Sequence, residues 1–152
     1  MVLEVGRVAP DFELRDQHGA TVGLSSYRGK VVVVMFYPFA FSGVCTGELS
    51  AVRDQLPTFE SDDVQVLAIS CDAMFSLRAL ADRDGLSFPL LSDFWPHGAV
   101  AGAYGVLDAE RGCAERSTFI IDRRGVLRWV VHNAMPEPRD LAEQARVLGE
   151  VS

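Results

Sequence analysis

Cys45 closes the run Pro38-Phe39-Ala40-Phe41-Ser42-Gly43-Val44-Cys45, and the segments on either side of it decide what its sulfur can do. Upstream, Val31-Val32-Val33-Val34-Met35-Phe36 is apolar and β-branched enough for a strand buried on both faces. Downstream, Cys45, Leu49, Val52, Leu56 and Phe59 step by four and three, the spacing of one helix face. Cys45 therefore opens a helix. The N–H groups of a first turn lack intrahelical partners and carry the positive end of the helix dipole, so they stabilise a thiolate, the nucleophilic form of sulfur.

The neighbours of Cys45 extend this chemistry. Ser42, three residues earlier, can cap the helix and turn its hydroxyl toward sulfur or a bound oxygen. Pro38 has no N–H and a fixed φ, so it ends the strand and walls a pocket without adding a competing donor. Arg116, just before a strand expected near the sheet centre, is the candidate cation, because a guanidinium can hold two oxygens. Glu48, one turn after Cys45, reads equally as a partner orienting Arg116 or as a solvated first-turn acid. Burial on the apolar stripe disfavours charge at Cys45, yet a guanidinium in a low-dielectric pocket outweighs partial desolvation by roughly 1–3 kcal/mol. Ionised sulfur, stabilisation of developing oxygen charge and shelter from water are what attack on an O–O bond requires.

The elements that must position these residues follow from periodicity and turn residues. Short strands at 12–15 and 21–24 flank Asp16-Gln17-His18-Gly19 and predict an N-terminal hairpin. A strand at 31–37 leads into a helix at 43–59, then a strand at 64–70 and a helix at 75–84. Segment 88–91 reads as a short edge strand because of Pro89, 96–104 as a short helix, 117–121 with 126–131 as a second hairpin, and 140–149 as the last helix. The fold class is α/β, one domain over residues 1–152, with a central mixed sheet flanked by helices. Reactive groups in such sheets gather where a strand's C-terminal end meets the next helix, which is where Pro38 to Cys45 falls.

The chain has 152 residues, 49% of them hydrophobic, and a formal net charge of −7, with Lys30 the single lysine among fourteen basic residues. Nothing here forms a basic patch for nucleic acid or an anionic membrane. No apolar run approaches the roughly 18 residues of a membrane span, and the N-terminus lacks a basic segment followed by an apolar core, so a cytoplasmic location is expected. Cys45, Cys71 and Cys113 give neither a CxxC nor the short pairs of a zinc site. Cys71, ending an apolar strand, reads as an inert core thiol, and Cys113, in a loop between Gly112 and Ala114, as a more exposed incidental one. Phe39, Phe41, Phe94 and Trp95 read as core or dimer interface rather than substrate pocket, and His97 as structural.

Pro38-x-x-x-Ser42-x-x-Cys45 resembles the Pro-x-x-x-Thr/Ser-x-x-Cys signature of peroxiredoxins, thiol peroxidases of thioredoxin-like fold. Gly6-x-x-Ala9-Pro10-Asp11-Phe12-x-Leu14-x-Asp16-x-x-Gly19 is similar to that family's opening, and Arg116-Ser117-Thr118-Phe119-Ile120-Ile121-Asp122-x-x-Gly125 to the segment carrying its active-site arginine. Leu91-Ser92-Asp93-Phe94-Trp95-Pro96-His97-Gly98-Ala99-Val100, with Phe39-Ala40-Phe41, resembles the one-cysteine alkyl hydroperoxide reductase E type of actinobacteria. The resemblance implies Cys45 as the peroxidatic cysteine, with Pro38, Ser42 and Arg116 completing its pocket; Ser42 stands where most members have Thr. It implies reduction of hydrogen peroxide and organic hydroperoxides through a sulfenic acid, with no metal or bound cofactor, and a homodimer packed near the active-site loop. Resolving cysteines of related branches lie in the tail or five residues after the peroxidatic one; this tail has none and position 50 is Ser50. One-cysteine turnover by an external thiol is implied, from thioredoxin, a glutaredoxin-like protein or a low-molecular-weight thiol such as mycothiol, while a resolving role for Cys71 or Cys113 stays open. Two other readings compete: a thioredoxin-like thiol-disulfide oxidoreductase, and a non-enzymatic peroxide sensor, redox relay or holdase.

Overall fold

Six consecutive buried residues, Val31 to Phe36, can be accommodated only inside a sheet covered on both faces, and the rest of the chain is arranged around that requirement. The structure, a computed structural model, describes residues 3–134, 137 and 139–151. Its elements are β1 (Glu13–Arg15), β2 (Thr21–Gly23), a 3-10 turn (Leu24–Tyr27), β3 (Val31–Phe36), α1 (Gly43–Asp54), α2 (Leu56–Phe59), β4 (Val64–Ser70), α3 (Met74–Asp84), β5 (Leu90–Ser92), α4 (Ala99–Ala103), β6 (Leu107–Asp108), β7 (Cys113–Ala114), β8 (Ser117–Ile121), β9 (Leu127–His132) and α5 (Leu141–Val151). Seven strands form one sheet in the order β2-β1-β5-β4-β3-β8-β9, parallel across β3, β4 and β5 and antiparallel elsewhere, so the expected mixed sheet and N-terminal hairpin are both present. No helix among the described residues is long and apolar enough to cross a membrane.

Alternation along β3 builds two cores. Val31, Val33 and Met35 face Leu49 and Val52 of α1, Leu77 and Leu80 of α3 and Val147 and Leu148 of α5. Val32, Val34 and Phe36 face Leu24, Ala101, Tyr104 and Phe119 on the other side.

Four expectations are corrected. The helix expected over 43–59 stops at Asp54 and restarts at Leu56, with Gln55 between them at φ −116°. Pro57 is the reason, since its ring clashes with the carbonyl four residues back. The strand expected at the sheet edge is interior: β5 lies between β1 and β4. Pro89 precedes it, and the buried Gln17 amide bridges the break, donating to Phe88 O at 3.0 Å and accepting from Leu90 N at 2.9 Å. β8 is one strand in from the edge rather than central. The loop expected around Cys113 is a second small sheet of β6 and β7, which buries that thiol completely.

Gln17→Leu strands two buried backbone groups, and at about 1–3 kcal/mol for each unsatisfied partner the expected loss is about 2–6 kcal/mol. Urea unfolding should show a lower midpoint at an unchanged m value.

Candidate active site

β3 delivers its buried backbone to Tyr37, whose N–H still bonds Ile69 O at 3.0 Å, and Pro38 then ends the ladder because it has no donor. Residues 39–42 turn sharply, with Ser42 N on Phe39 O at 3.4 Å and Phe41 at φ +68°. Ser42 has extended backbone and caps α1: its Oγ accepts from Cys45 N at 3.4 Å, and its carbonyl accepts from Thr46 N at 2.9 Å. Cys45 lies in the first turn of α1 and is fully buried. Pro38, at the start of the same turn, is buried.

The register of β8 brings the cation. Ser117 pairs with Phe36, so the residue before Ser117 reaches the C-terminal end of β3 where the Cys45 turn begins. Arg116, 2% exposed, donates from Nη2 to Cys45 Sγ at 3.4 Å and from Nη1 to Glu48 Oε1. Glu48 is thus a buried bridging carboxylate rather than a solvated acid. Its other oxygen accepts the backbone N–H of Arg139 at 2.7 Å and lies 3.3 Å from Arg139 Nε. Arg139 also donates to Ser117 O at 2.8 Å, to Thr118 Oγ1 at 2.9 Å and to Phe36 O, tying the approach to α5 onto the ends of β3 and β8. Burial pulls the Arg139 pKa down to about 10 against the attraction of Glu48, and the group stays charged at neutral pH.

The arrangement is a sulfur nucleophile, a guanidinium in contact with it and a carboxylate orienting that guanidinium, all out of water. The AhpC/TSA family matches residues 5–130. The chain is 50% identical over 140 residues to the alkyl hydroperoxide reductase E of Mycobacterium tuberculosis, covering 91% of this chain and 92% of that one. It is 36% identical over 157 residues to a thioredoxin peroxidase of Fasciola hepatica, covering 97% of this chain and 80% of the other. The crystal structure of Enterococcus faecalis AhpC superposes with a TM-score of 0.88 at 29% identity, covering 99% of this chain and 92% of that one. The chain belongs to the AhpC/TSA family. It is a peroxiredoxin of thioredoxin-like fold and a thiol-dependent peroxidase, as its motifs imply.

Of the sequence candidates, this peroxiredoxin brings Cys45, Ser42, Arg116 and Glu48 into contact, with Pro38 buried at the start of the same turn. Arg139 is the residue that sequence reasoning missed. The available signal was Glu48 itself: a carboxylate on the inward stripe of a helix needs donors for two oxygens, and Arg116 serves only one of them. Nothing in the sequence says which remaining arginine supplies the other.

Cys71 and Cys113 are both buried. Burial, then Asp93 and Cys113, push the Cys71 pKa up to about 12, although Ala114 N–H donates to its sulfur. Burial and Asp108 raise that of Cys113, which is not the exposed loop thiol expected. Both are neutral thiols at physiological pH. His97 holds the loop before α4 in place, with ring nitrogens on Phe94 O at 3.2 Å and Gly112 O at 2.7 Å, the structural role expected of it. Phe39, Phe41, Phe94 and Trp95 are not core: they are 44–79% exposed, as is Phe75 at 74%. A cleft of about 600 Å³ lies among Leu14, Met74, Phe75, Phe94 and Trp95, away from Cys45, and one of about 310 Å³ lies beside Glu48 and Arg139.

Glu48→Gln leaves two buried guanidiniums without their carboxylate, and breaking a buried pair in this way lowers stability by about 3–5 kcal/mol, readable from urea unfolding. Cys71 gives a pH signature. The folded thiol keeps its proton to about pH 12 whereas the ordinary value is 9.0, so from about 9 upward the unfolded chain holds fewer protons. This contribution to stability is complete below pH 9 and is lost as pH rises toward 12. Cys71→Val should flatten the fall in unfolding free energy measured between about pH 9 and pH 10.5.

Proposed function

We propose that the chain reduces hydrogen peroxide and organic hydroperoxides through a sulfenic acid at Cys45, in a one-cysteine cycle that an external thiol completes. The observation that carries this reading is the Arg116 guanidinium 3.4 Å from Cys45 Sγ, in a chain whose other two cysteines are held as neutral thiols. The Cys45 thiolate attacks the terminal peroxide oxygen; an S–O bond forms as the O–O bond breaks, and two electrons pass from sulfur to the peroxide. The departing hydroxide or alkoxide takes a proton and leaves as water or alcohol. Arg116 offsets negative charge as it moves from sulfur to the leaving oxygen, Ser42 fixes the first turn with its hydroxyl beside the sulfur, and Pro38 closes the wall. One thiol then attacks the sulfenic sulfur and expels water, and a second releases Cys45 and carries the disulfide away.

No metal or bound cofactor enters this cycle. Its reductant is a thioredoxin, a glutaredoxin-like protein or a low-molecular-weight thiol such as mycothiol. Residues 1–152 act as one domain, and three free cysteines suit the reducing cytoplasm. The exposed Phe39 and Phe41 beside the site, with Phe94 and Trp95, support a homodimer packed near the active-site loop.

Intact-mass measurement after one equivalent of hydrogen peroxide tests the cycle. Native protein should gain one oxygen and Cys45→Ser none; loss of two hydrogens from native protein would show a disulfide to Cys71 or Cys113 and overturn the one-cysteine reading. Arg116→Met should lower kcat/KM for peroxide by about 100-fold or more, the scale of losing one charge-stabilising donor.

A further inference from the structure

The ring of His97, exposed in the loop before α4, lies between two backbone carbonyls. Nδ1 is 3.2 Å from Phe94 O in its own loop, and Nε2 is 2.7 Å from Gly112 O, where the chain enters β7. A carbonyl oxygen only accepts, and a neutral imidazole carries one N–H, so the imidazolium alone donates to both. Whichever nitrogen gives up its proton leaves a lone pair facing a carbonyl oxygen, and the bond that remains loses its charge assistance. The bridge is complete only in the protonated ring.

The bridge joins the loop at residues 93–98 to the hairpin of β6 and β7. Inside the hairpin the bonds are local: Leu107 pairs with Ala114 and Asp108 with Cys113, Gly112 N–H donates to Asp108 O at 2.8 Å, and the Asp108 carboxylate accepts from Glu110 N and Arg111 N, both at 3.1 Å. Against the loop the hairpin is held by packing and by charge. Leu107 lies so close on Gly98 that a Cβ there would come within 2.5 Å of its Cδ1, and His97 reaches Gly112 O. No proton alters the first contact; the second depends on one. Cys113 is fully buried by this arrangement, although residues 109–111 just before it are exposed. The ionisable groups of the elements packed here are Asp93 in the loop of His97, Asp108, Glu110 and Arg111 on the hairpin, Asp72 after β4, and the thiols Cys71 and Cys113, while α4 carries none. Asp93, buried and bonded by Val100 N–H at 3.1 Å and Ala101 N–H at 2.8 Å, interacts with the charge of His97.

We propose that His97 is a pH-sensitive clasp: its imidazolium closes the β6–β7 hairpin onto the loop before α4 and keeps Cys113 covered, and loss of its proton loosens the hairpin and admits reagents to that thiol. The cover is firm on the acid side of the imidazole titration and weakens as pH rises through it. The device is separate from the chemistry at Cys45, since His97 touches neither that sulfur nor Arg116.

The test is iodoacetamide labelling of the native chain between pH 5.5 and pH 8, resolved by mass analysis of tryptic peptide 112–116, in which Cys113 is the sole thiol. Each rate is divided by that of the same chain unfolded in urea at the same pH, which cancels the intrinsic pH dependence of a thiol and leaves the protection given by the fold. Protection of Cys113 should fall about three- to tenfold from pH 5.5 to pH 8, the scale of one hydrogen bond. His97→Gln, which offers a neutral amide and no titrating proton, should give a flat profile at about the level that native protein reaches at pH 8. Asp93, His18 and His132 remain in that variant, so a pH dependence arising from any of them would persist there. A flat profile in native protein overturns the clasp whether or not the variant folds, and so does a fall of the same size in His97→Gln.

Discussion

Glu48 is the constraint around which the rest is built. It sits on the inward face of α1 between two buried guanidiniums, Arg116 on one oxygen and Arg139 on the other. Buried charge is tolerated only when paired and fully hydrogen-bonded, and here the pairing joins three elements distant in sequence: α1, the approach to β8 and the approach to α5. Cys45 Sγ lies 3.4 Å from Arg116, so the carboxylate that orients the arginine also holds its guanidinium against the sulfur, where it favours negative charge. A solvated Glu48 would give none of this.

The ion cluster depends in turn on strand register. Phe36 opposite Ser117 and Met35 opposite Thr118 place Arg116 at the mouth of the turn and offer Ser117 O, Thr118 Oγ1 and Phe36 O to the donors of Arg139. A one-residue slip of β8 would reverse every side chain on it, taking Ile120 out of one core and Phe119 out of the other. Hydrophobic packing on both faces of β3 therefore fixes the position of a charge that packing does not touch. Core stability and site geometry are one property here.

What the sequence reveals follows the range of the interactions. Ser42 capping Cys45 is a contact three residues long, and spacing alone predicts it. The apolar run of β3 and the alternation of strands and helices need only local pattern, and they yield the mixed sheet correctly. Arg116 is reached through the Ser-Thr-Phe strand that follows it, with the family signature in support. Arg139 has no such marker, because it is selected by a carboxylate 91 positions earlier in the chain. The same holds for Cys113, whose burial comes from a two-residue strand too short to show a period, and for β5, where Pro89 signals an edge but a distant glutamine side chain makes the break tolerable inside the sheet. Periodicity reports which face a residue presents; it does not report what comes to meet it.

The burial that suits the oxidative step works against the reductive one. A dry pocket strengthens the Arg116 contact and keeps water from the sulfur, yet it excludes the thiol that must return sulfur to its starting state. A chain with a resolving cysteine at hand could bring that thiol on its own backbone. Here Cys71 and Cys113 are protonated and buried, and position 50 is a serine. A glycine-rich loop at residues 39–42 would not hold Ser42 in place to cap α1. The turn there is instead defined by Phe41 at φ +68°, with Ala40 N–H held by the Asp72 carboxylate and the Arg83 guanidinium placed over the Phe41 ring, so contacts from α3 and from the loop after β4 set the position from which Ser42 caps the helix.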